Sequence, residues 1–472
     1  MKTSLSITSL RIAIIATLML LLPTLIMAQW GPVRNITPAS LSAGLNENAG
    51  PCLAQNGTTL HVVYSDHRTQ GWAIYYQQSP DSGTTWTQGI AITDTMGKAT
   101  MPVIAVWGDT IHVVWMDTLN GIRASYYKQS LDNGTTWSPN VCLDTNTKFW
   151  PGVAVYGQMV VATLNKAVTV TNTEVFIRIS MDNGATWGAE QQISNADGRS
   201  EDPAIALQGS QIHLSWNDKR SGTMLIYYRH SMDAGLSWGP ETALTTSDSY
   251  SSMVSVNGAF VDVPCGKTMG THFHVFMNSS IDSGNTFPAS QLVTLDSLGD
   301  AYPYLMRNGM ELFMVFLRFG NTGGPKYIHS NNGGISWDSA ISFGPGGQPF
   351  ILYTDCALHI IFSDSGHIRY VSKSLCATSG SNELKTTNQP THLVVYPNPS
   401  NSQTTFELTS YDKNVTTEFK IFDVLGQEIV ATFFGTEGKI ILDRNKFTSG
   451  IYFYKAMQKE VIIATGKVLF SN

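Results

Sequence analysis

Apolar and polar positions alternate in short runs from about residue 30 to the C-terminus, and turn residues separate the runs into groups. The clearest group begins at Met101. Residues 101–108 (MPVIAVWG) predict an inner strand ending at Gly108, and residues 111–117 (IHVVWMD) a second that is β-branched and aromatic. Residues 122–130 (IRASYYKQS) alternate cleanly as a third, and residues 138–143 form a short fourth strand after a polar turn. Such residues suit a pleated, half-buried surface, and four antiparallel strands per group is the unit of a propeller blade. The second strand recurs at 60–66, 159–165, 212–218, 259–265, 312–318 and 358–364, which makes seven with the one at 111–117.

The turn after the third strand also repeats. It reads SPDSGTTW from Ser79, SLDNGTTW from Ser130, SMDNGATW from Ser180 and SMDAGLSW from Ser231, then SIDSGNTF from Ser280 and SNNGGISW from Ser330. The starts advance by 51, 50, 51, 49 and 50 residues, a period that marks repetition of one supersecondary unit. Each repeated residue has a local task. Asp accepts backbone N–H groups across its own turn, Gly tolerates positive φ, the seventh-position hydroxyl adds a bond, and Trp packs on the sheet. The seventh unit lacks both this turn and a fourth strand. Residues 29–37 (QWGPVRNIT) match the form of residues 237–245 (SWGPETALT), so the N-terminal stretch is expected to complete the last unit and close the ring. Closure removes exposed sheet edges. The expected fold is all-β, a seven-bladed β-propeller with six blades as the alternative. The pattern Ser-x-Asp-x-Gly-x-Thr-Trp resembles the Asp-box, or BNR repeat, of sialidases and related β-propellers.

Residues 377–390 are polar and aperiodic and read as a linker. New short strands follow at 393–396, 404–408, 417–423, 428–433, 439–442, 451–457 and 461–470, which predicts a small C-terminal β-sandwich over 391–472. Residues 396–399 (YPNP), 421–428 (IFDVLGQE), 449–452 (SGIY) and 466–469 (GKVL) are similar to the type A C-terminal sorting domain of the type IX secretion system. That resemblance implies export across the outer membrane of a Bacteroidota-type bacterium, a contact with the secretion machinery through 391–472, and a secreted or surface-attached product. Residues 1–28 fit a signal peptide, with Lys2 and Arg11 ahead of an apolar run at 12–22 and Ala28 before the expected cut. That run is shorter than the ~20 residues a membrane span needs, so no transmembrane anchor is expected in the mature chain. The propeller then occupies residues 29–376.

Charge sharpens this picture. Charged residues make up 14% of the chain, below the roughly 25% of ordinary soluble domains, which suits a β-rich exported protein. The formal net charge of −6 argues against nucleic acid as a partner, because binding it needs a basic face. The five cysteines are an odd number and show no metal-ligand spacing. Cys356 and Cys376 share a repeat and are candidates for a disulfide. No metal or other cofactor is expected.

Candidate binding residues lie in loops opposite the repeated turn, where the units stop agreeing. Asp66, Asp117, Asp218 and Asp364 end the second strand, with Asn165 and Arg318 at the same place in other units. Two units extend this to Asp-x-Arg, at Asp66 to Arg68 and Asp218 to Arg220. One reading is a loop-capping carboxylate paired with its local Arg. The other is a polar ring in which Arg68, Arg220 and Arg318 face an acidic sugar, since a guanidinium holds a carboxylate by two hydrogen bonds. The loops between units add Glu47, Lys98, Trp150, Arg199, Glu201, Asp202, Tyr250 and Tyr302. The aromatic members either stack on sugar rings or wedge between inner strands. His61, His112, His213 and His359 share one strand position and read as packing residues.

The resemblance to sialidases implies three arginines for a substrate carboxylate, a Tyr nucleophile helped by Glu, and an Asp acid. Here those roles would fall to Arg68, Arg220 and Arg318, to Tyr250 or Tyr302, and to Glu201 or Asp202. The chain departs from that family in lacking its N-terminal Arg-Ile-Pro signature, for which Arg34 is the nearest echo, and in having seven units where the family has six. The expected function is therefore a displayed propeller that binds glycan or a surface protein. An exo-acting, sialidase-like glycoside hydrolase is the alternative, and a purely structural part in adhesion is a third reading.

Overall fold

A computed structural model describes residues 30–38, 43–45, 50–67, 71–94, 97–119, 121–295, 298–320, 323–354, 356–375, 392–396, 403–409, 416–423, 428–435, 438–458 and 461–470. The described residues form β-strands and connecting turns, with one turn of 3-10 helix at Arg444–Lys446 and no α-helix. The chain divides into two compact units, 1–377 and 378–472.

Among its described residues the first unit holds seven antiparallel sheets. The first sheet orders Leu53–Asn56, Thr59–Asp66, Ala73–Ser79 and Ile90–Ala91 side by side. The second repeats this with Thr100–Trp107, Thr110–Leu119, Ile122–Ser130 and Val141–Asp144. The third, fourth and sixth sheets follow the same order from Thr147, Ser200 and Asp300. In the fifth sheet the inner strand is split into Ser249–Tyr250 and Ser255–Asn257, a break that periodicity did not signal. In the seventh, Pro349–Thr354, Ala357–Asp364 and His367–Ser374 are joined at the outer edge by Arg34–Asn35, where Arg34 pairs with Tyr370. Neighbouring sheets pack face to face in chain order, and the inner strand of the seventh also meets that of the first. Inner strands from all seven line one central cavity of about 400 Å³. This is a β-propeller.

The repeated turn fastens each sheet in two directions. In the second unit, Asp132 Oδ1 accepts the Thr136 backbone N–H at 2.8 Å and Oδ2 the Thr136 hydroxyl at 2.6 Å, while Ser130 Oγ accepts the Gly134 N–H at 2.8 Å. These bonds hold the Asp132 carboxyl down at about 2, the Thr136 hydroxyl contributing most. The turn also reaches the hairpin between the first two strands, through Asn133 N–H to Asp109 O at 2.8 Å. It therefore sits at one pole of the propeller, and the loops from the second to the third strand and between sheets lie at the other.

The second direction is toward the preceding sheet. Tyr76, Tyr127 and Tyr228 each place a ring edge-to-face on the box aromatic of the sheet that follows or faces them, Trp137, Trp187 and Phe287, with centroids 4.9–5.1 Å apart. A Cβ on Gly134, Gly184 or Gly284 would collide with the corresponding phenol oxygen. His61, His112 and His213 hydrogen-bond those phenols at 2.7 Å. The same contacts bridge the ends of the first unit. Tyr370 of the seventh sheet meets Trp86 at 5.2 Å, and Trp30 meets Tyr327 of the sixth at 4.9 Å, where a box aromatic of the seventh unit would sit.

Cys52, Cys142 and Cys265 are free, and Cys356 is disulfide-bonded, whereas Cys376 lies outside the described residues. The second unit comprises a three-stranded sheet (His392–Tyr396, Gln403–Thr409, Lys439–Asp443) and a four-stranded one (Glu428–Phe433, Thr417–Phe422, Gly450–Gln458, Val461–Phe470). Phe406 and Ile440 of the former and Phe419, Ile421, Tyr454 and Val468 of the latter bury into one core.

Candidate functional site at the pole opposite the repeated turns

At this pole the inner strands begin with a β-bulge. Pairing skips between Thr100 and Val103, Phe149 and Gly152, Glu201 and Ala204, and Ala301 and Tyr304. The skipped pairs are Met101-Pro102, Trp150-Pro151, Asp202-Pro203 and Tyr302-Pro303. A proline there removes a donor that a regular ladder would need, so the bulge costs no further hydrogen bond. Met101, Asp202 and Tyr302 have φ of 59°, 58° and 54°, and Ser251 reaches 55° at the break in the fifth sheet. Non-glycine residues at such angles store strain, which packed surroundings must hold in place.

Four of those strained or bulged residues, Trp150, Asp202, Ser251 and Tyr302, meet in one cavity of about 290 Å³. Trp150, Asp202, Tyr250 and Tyr302 line it together with Asn217, Phe273 and Phe319. Two edge-to-face pairs form its walls, Tyr250 on Phe273 at 5.7 Å and Tyr302 on Phe319 at 6.3 Å. Asp202 is 8% exposed. Its Oδ2 accepts a hydrogen bond from Asn217 Nδ2 at 2.7 Å, while its Oδ1 and Asn217 Oδ1 are buried without a hydrogen-bond partner. Burial, helped by the neighbouring Glu201 charge, pushes the Asp202 carboxyl up to about 8. Glu201 does not line the cavity; burial raises its carboxyl also, against the pull of Arg199 at 3.7 Å.

The arginines are engaged elsewhere. Arg220 donates from Nε to Asp218 Oδ1 at 2.8 Å and from Nη2 to Oδ2 at 2.7 Å, and it also pairs with Glu241 while lying 4.2 Å from the centre of the Tyr227 ring. Burial works to raise Asp218, but the hydrogen bonds from Arg220 outweigh it and hold the carboxyl below its usual range. Arg318 holds the buried Asp300 in the same forked way, at 2.7 and 2.9 Å. Neither lines the aromatic cavity, and each guanidinium is held by a carboxylate of its own unit. Asp66 is buried at the end of its strand, and Arg68 and Glu47 lie outside the described residues.

Two family models match the chain. A BNR repeat-like domain matches residues 24–263, and a secretion system C-terminal sorting domain matches residues 394–470. The chain belongs to the BNR repeat-like family. No curated protein matches the sequence. Among solved structures, an ulvan lyase with bound saccharide superposes with a TM-score of 0.52 at 10% identity, covering 72% of this chain and 95% of that one, which shows a shared fold. A Hadza microbial sialidase gives a TM-score of 0.44 at 14% identity (73% and 68% covered), and the Trypanosoma rangeli sialidase 0.42 at 10% (92% and 88%). The sorting domain makes this BNR repeat protein a type IX secretion cargo, secreted or held at the cell surface. Among the described residues, no helix is long and apolar enough to cross a membrane.

The BNR repeats carry a second cavity, of about 520 Å³, on the other side of Trp150. Trp72, Lys98, Met101 and Arg123 are among its lining residues. Asn217, Ser251, Phe273 and Phe319 were missed as site residues. The signal was present for part of the site, in the X-Pro dipeptides that open inner strands at Met101-Pro102, Trp150-Pro151, Asp202-Pro203 and Tyr302-Pro303. Phe273, at the start of the strand His272–Ser280, and Phe319, just past the strand Glu311–Arg318, carry no such mark. Among the described residues, no group of three His, Cys, Asp or Glu side chains is arranged to hold a metal ion.

Proposed function

We propose that this protein is a seven-bladed propeller, closed by its N-terminal strand and followed by a two-sheet sandwich, that binds carbohydrate in the aromatic cavity opposite the repeated turns. The observation that carries this reading is the convergence of Trp150, Tyr250, Tyr302, Phe273 and Phe319 around the buried Asp202 and Asn217. Aromatic faces suit the apolar faces of sugar rings, and a few buried polar atoms orient the ligand. Asp202 and Asn217 offer buried acceptors with no protein donor, which ligand hydroxyl or amine groups would satisfy. Display outside the cell puts such a site where glycans are met.

Hydrolysis is the second reading, and one observation favours it. A carboxyl that keeps its proton near neutral pH stands beside two phenols in the same cavity, the group types an exo-glycosidase of the sialidase kind employs. The carboxylate clamp that such chemistry needs has less support, because Arg220 and Arg318 already hold Asp218 with Glu241 and Asp300.

The deciding experiment applies the mature full-length protein to a glycan array and to fluorogenic sialosides with a broader glycosidase panel. Retention of a glycan without turnover, weakened at least tenfold in Trp150→Ala and Tyr302→Ala, is the expected result. Turnover abolished by Asp202→Asn would establish the hydrolase instead, and turnover abolished by Arg220→Ala would restore the clamp.

A further inference from the structure

The aromatic cavity has a charge preference as well as a shape. Its lining contains one carboxyl and no lysine or arginine among the described residues. The charged and titratable groups around Asp202 are Glu201, Arg199 and the phenols of Tyr250 and Tyr302, with Lys219 acting on Glu201 and Asp248 on Tyr250. The nearby Asp218–Arg220–Glu241 and Asp300–Arg318 groups are already paired. Arg199 is half exposed and points its charge at Glu201. Asp202 thus lines the cavity with one of its two oxygens lacking a donor, inside a wall of four phenyl-type rings and one indole. Aromatic faces present negative charge and attract cations, and a buried carboxylate needs a counter-ion. An acidic sugar would find no lysine or arginine in the lining to hold its carboxylate. A neutral hydroxyl can satisfy the orphan oxygen only while Asp202 keeps its proton, because nothing in the lining would compensate the ionised carboxylate. An ammonium group supplies both donor and charge.

We propose that this cavity recognises an organic ammonium group with Asp202 as its counter-ion, so that the preferred glycan carries a free amine rather than an acid or an acetamide. This rests on the carbohydrate-binding reading above and specifies its ligand class. Binding of a permanently charged amine ionises Asp202, so it releases a proton at neutral pH and strengthens as pH rises toward about 8. The Glu201 carboxyl contributes field in the same direction, and Arg199 opposes it.

The test uses the mature full-length protein, Trp fluorescence and calorimetry, with choline as the small cationic probe and glucosamine oligomers against their N-acetylated counterparts. Choline and the free-amine oligomer are expected to bind, the oligomer at least tenfold tighter than the acetylated form, with proton release that disappears in Asp202→Asn. The isosteric Asp202→Asn variant should keep the wild-type circular dichroism spectrum, so that lost binding reports lost charge. Equal binding of both oligomers, or choline binding untouched by Asp202→Asn, overturns the ammonium proposal and leaves carbohydrate binding standing. Failure of both oligomers and of every glycan on the array removes both readings.

Discussion

At the scale of single residues, the repeated turn combines a local and a non-local demand. Its Asp and Thr or Ser bond each other within the turn, so their roles were legible from chemistry and spacing alone. Its Gly has a second reason to be Gly that only packing reveals. In Gly184 the φ of 85° is joined by the Tyr127 phenol, which occupies the place of a Cβ. Gly184→Ala is expected to cost about 2–4 kcal/mol and to lower Tm measurably, since strain adds to overpacking. Gly157→Ala is the control, because its φ of 60° is similar but nothing lies within 4 Å. It should cost only about 1 kcal/mol. Equal losses in the two variants would disprove the part given to Tyr127.

At the scale of elements, the shortest strand has the widest consequence. Arg34–Asn35 is two residues long, yet it covers the outer edge of His367–Ser374 and brings Trp30 onto Tyr327 and Phe343. The match between residues 29–37 and 237–245 made this pairing readable, because the chain ends supply complementary pieces of one repeat. Removing residues 30–36 from the mature chain should lower Tm by roughly 5–10 °C, the order expected from losing a packed Trp in a domain of this size. It should also promote association through the bared edge, detectable by light scattering. A truncated chain that melts with wild-type Tm and stays monodisperse would refute this account of closure.

At the scale of the whole molecule, four buried histidines set the response to acid. Burial lowers His61, His112, His213 and His359 to about 4, from 6.5. Their folded forms stay neutral while the unfolded chain takes up protons, so stability is present above about pH 6.5 and is lost as pH falls toward 4. With all four contributing, the slope reaches about 5 kcal/mol per pH unit near pH 5. Thermal unfolding at pH 7.5, 6 and 5 should show a steep fall in Tm, made shallower by His213→Asn. A Tm that stays flat across that range would contradict the neutral His–Tyr pairs. A second whole-chain expectation concerns export: cells producing the chain without residues 394–470 should retain it inside the outer membrane, measured by fractionation.

The sequence by itself determined the units, their strands and the fastening turn, because each of these depends on neighbours within about 50 residues that recur in phase. It also marked the sorting domain and brought Trp150, Asp202, Tyr250 and Tyr302 forward as residues at which the repeats disagree. Only the tertiary structure decided which of those share a cavity, that Phe273 and Phe319 join them, and that Arg220 and Arg318 are held by carboxylates of their own units. The physical reason is that ionisation and pairing depend on burial and on distances between separate sheets. Asp66 and Asp218 look alike in the chain, and nothing in it separates the ionisation of Asp202 from theirs, until packing removes water from one and supplies an arginine to another.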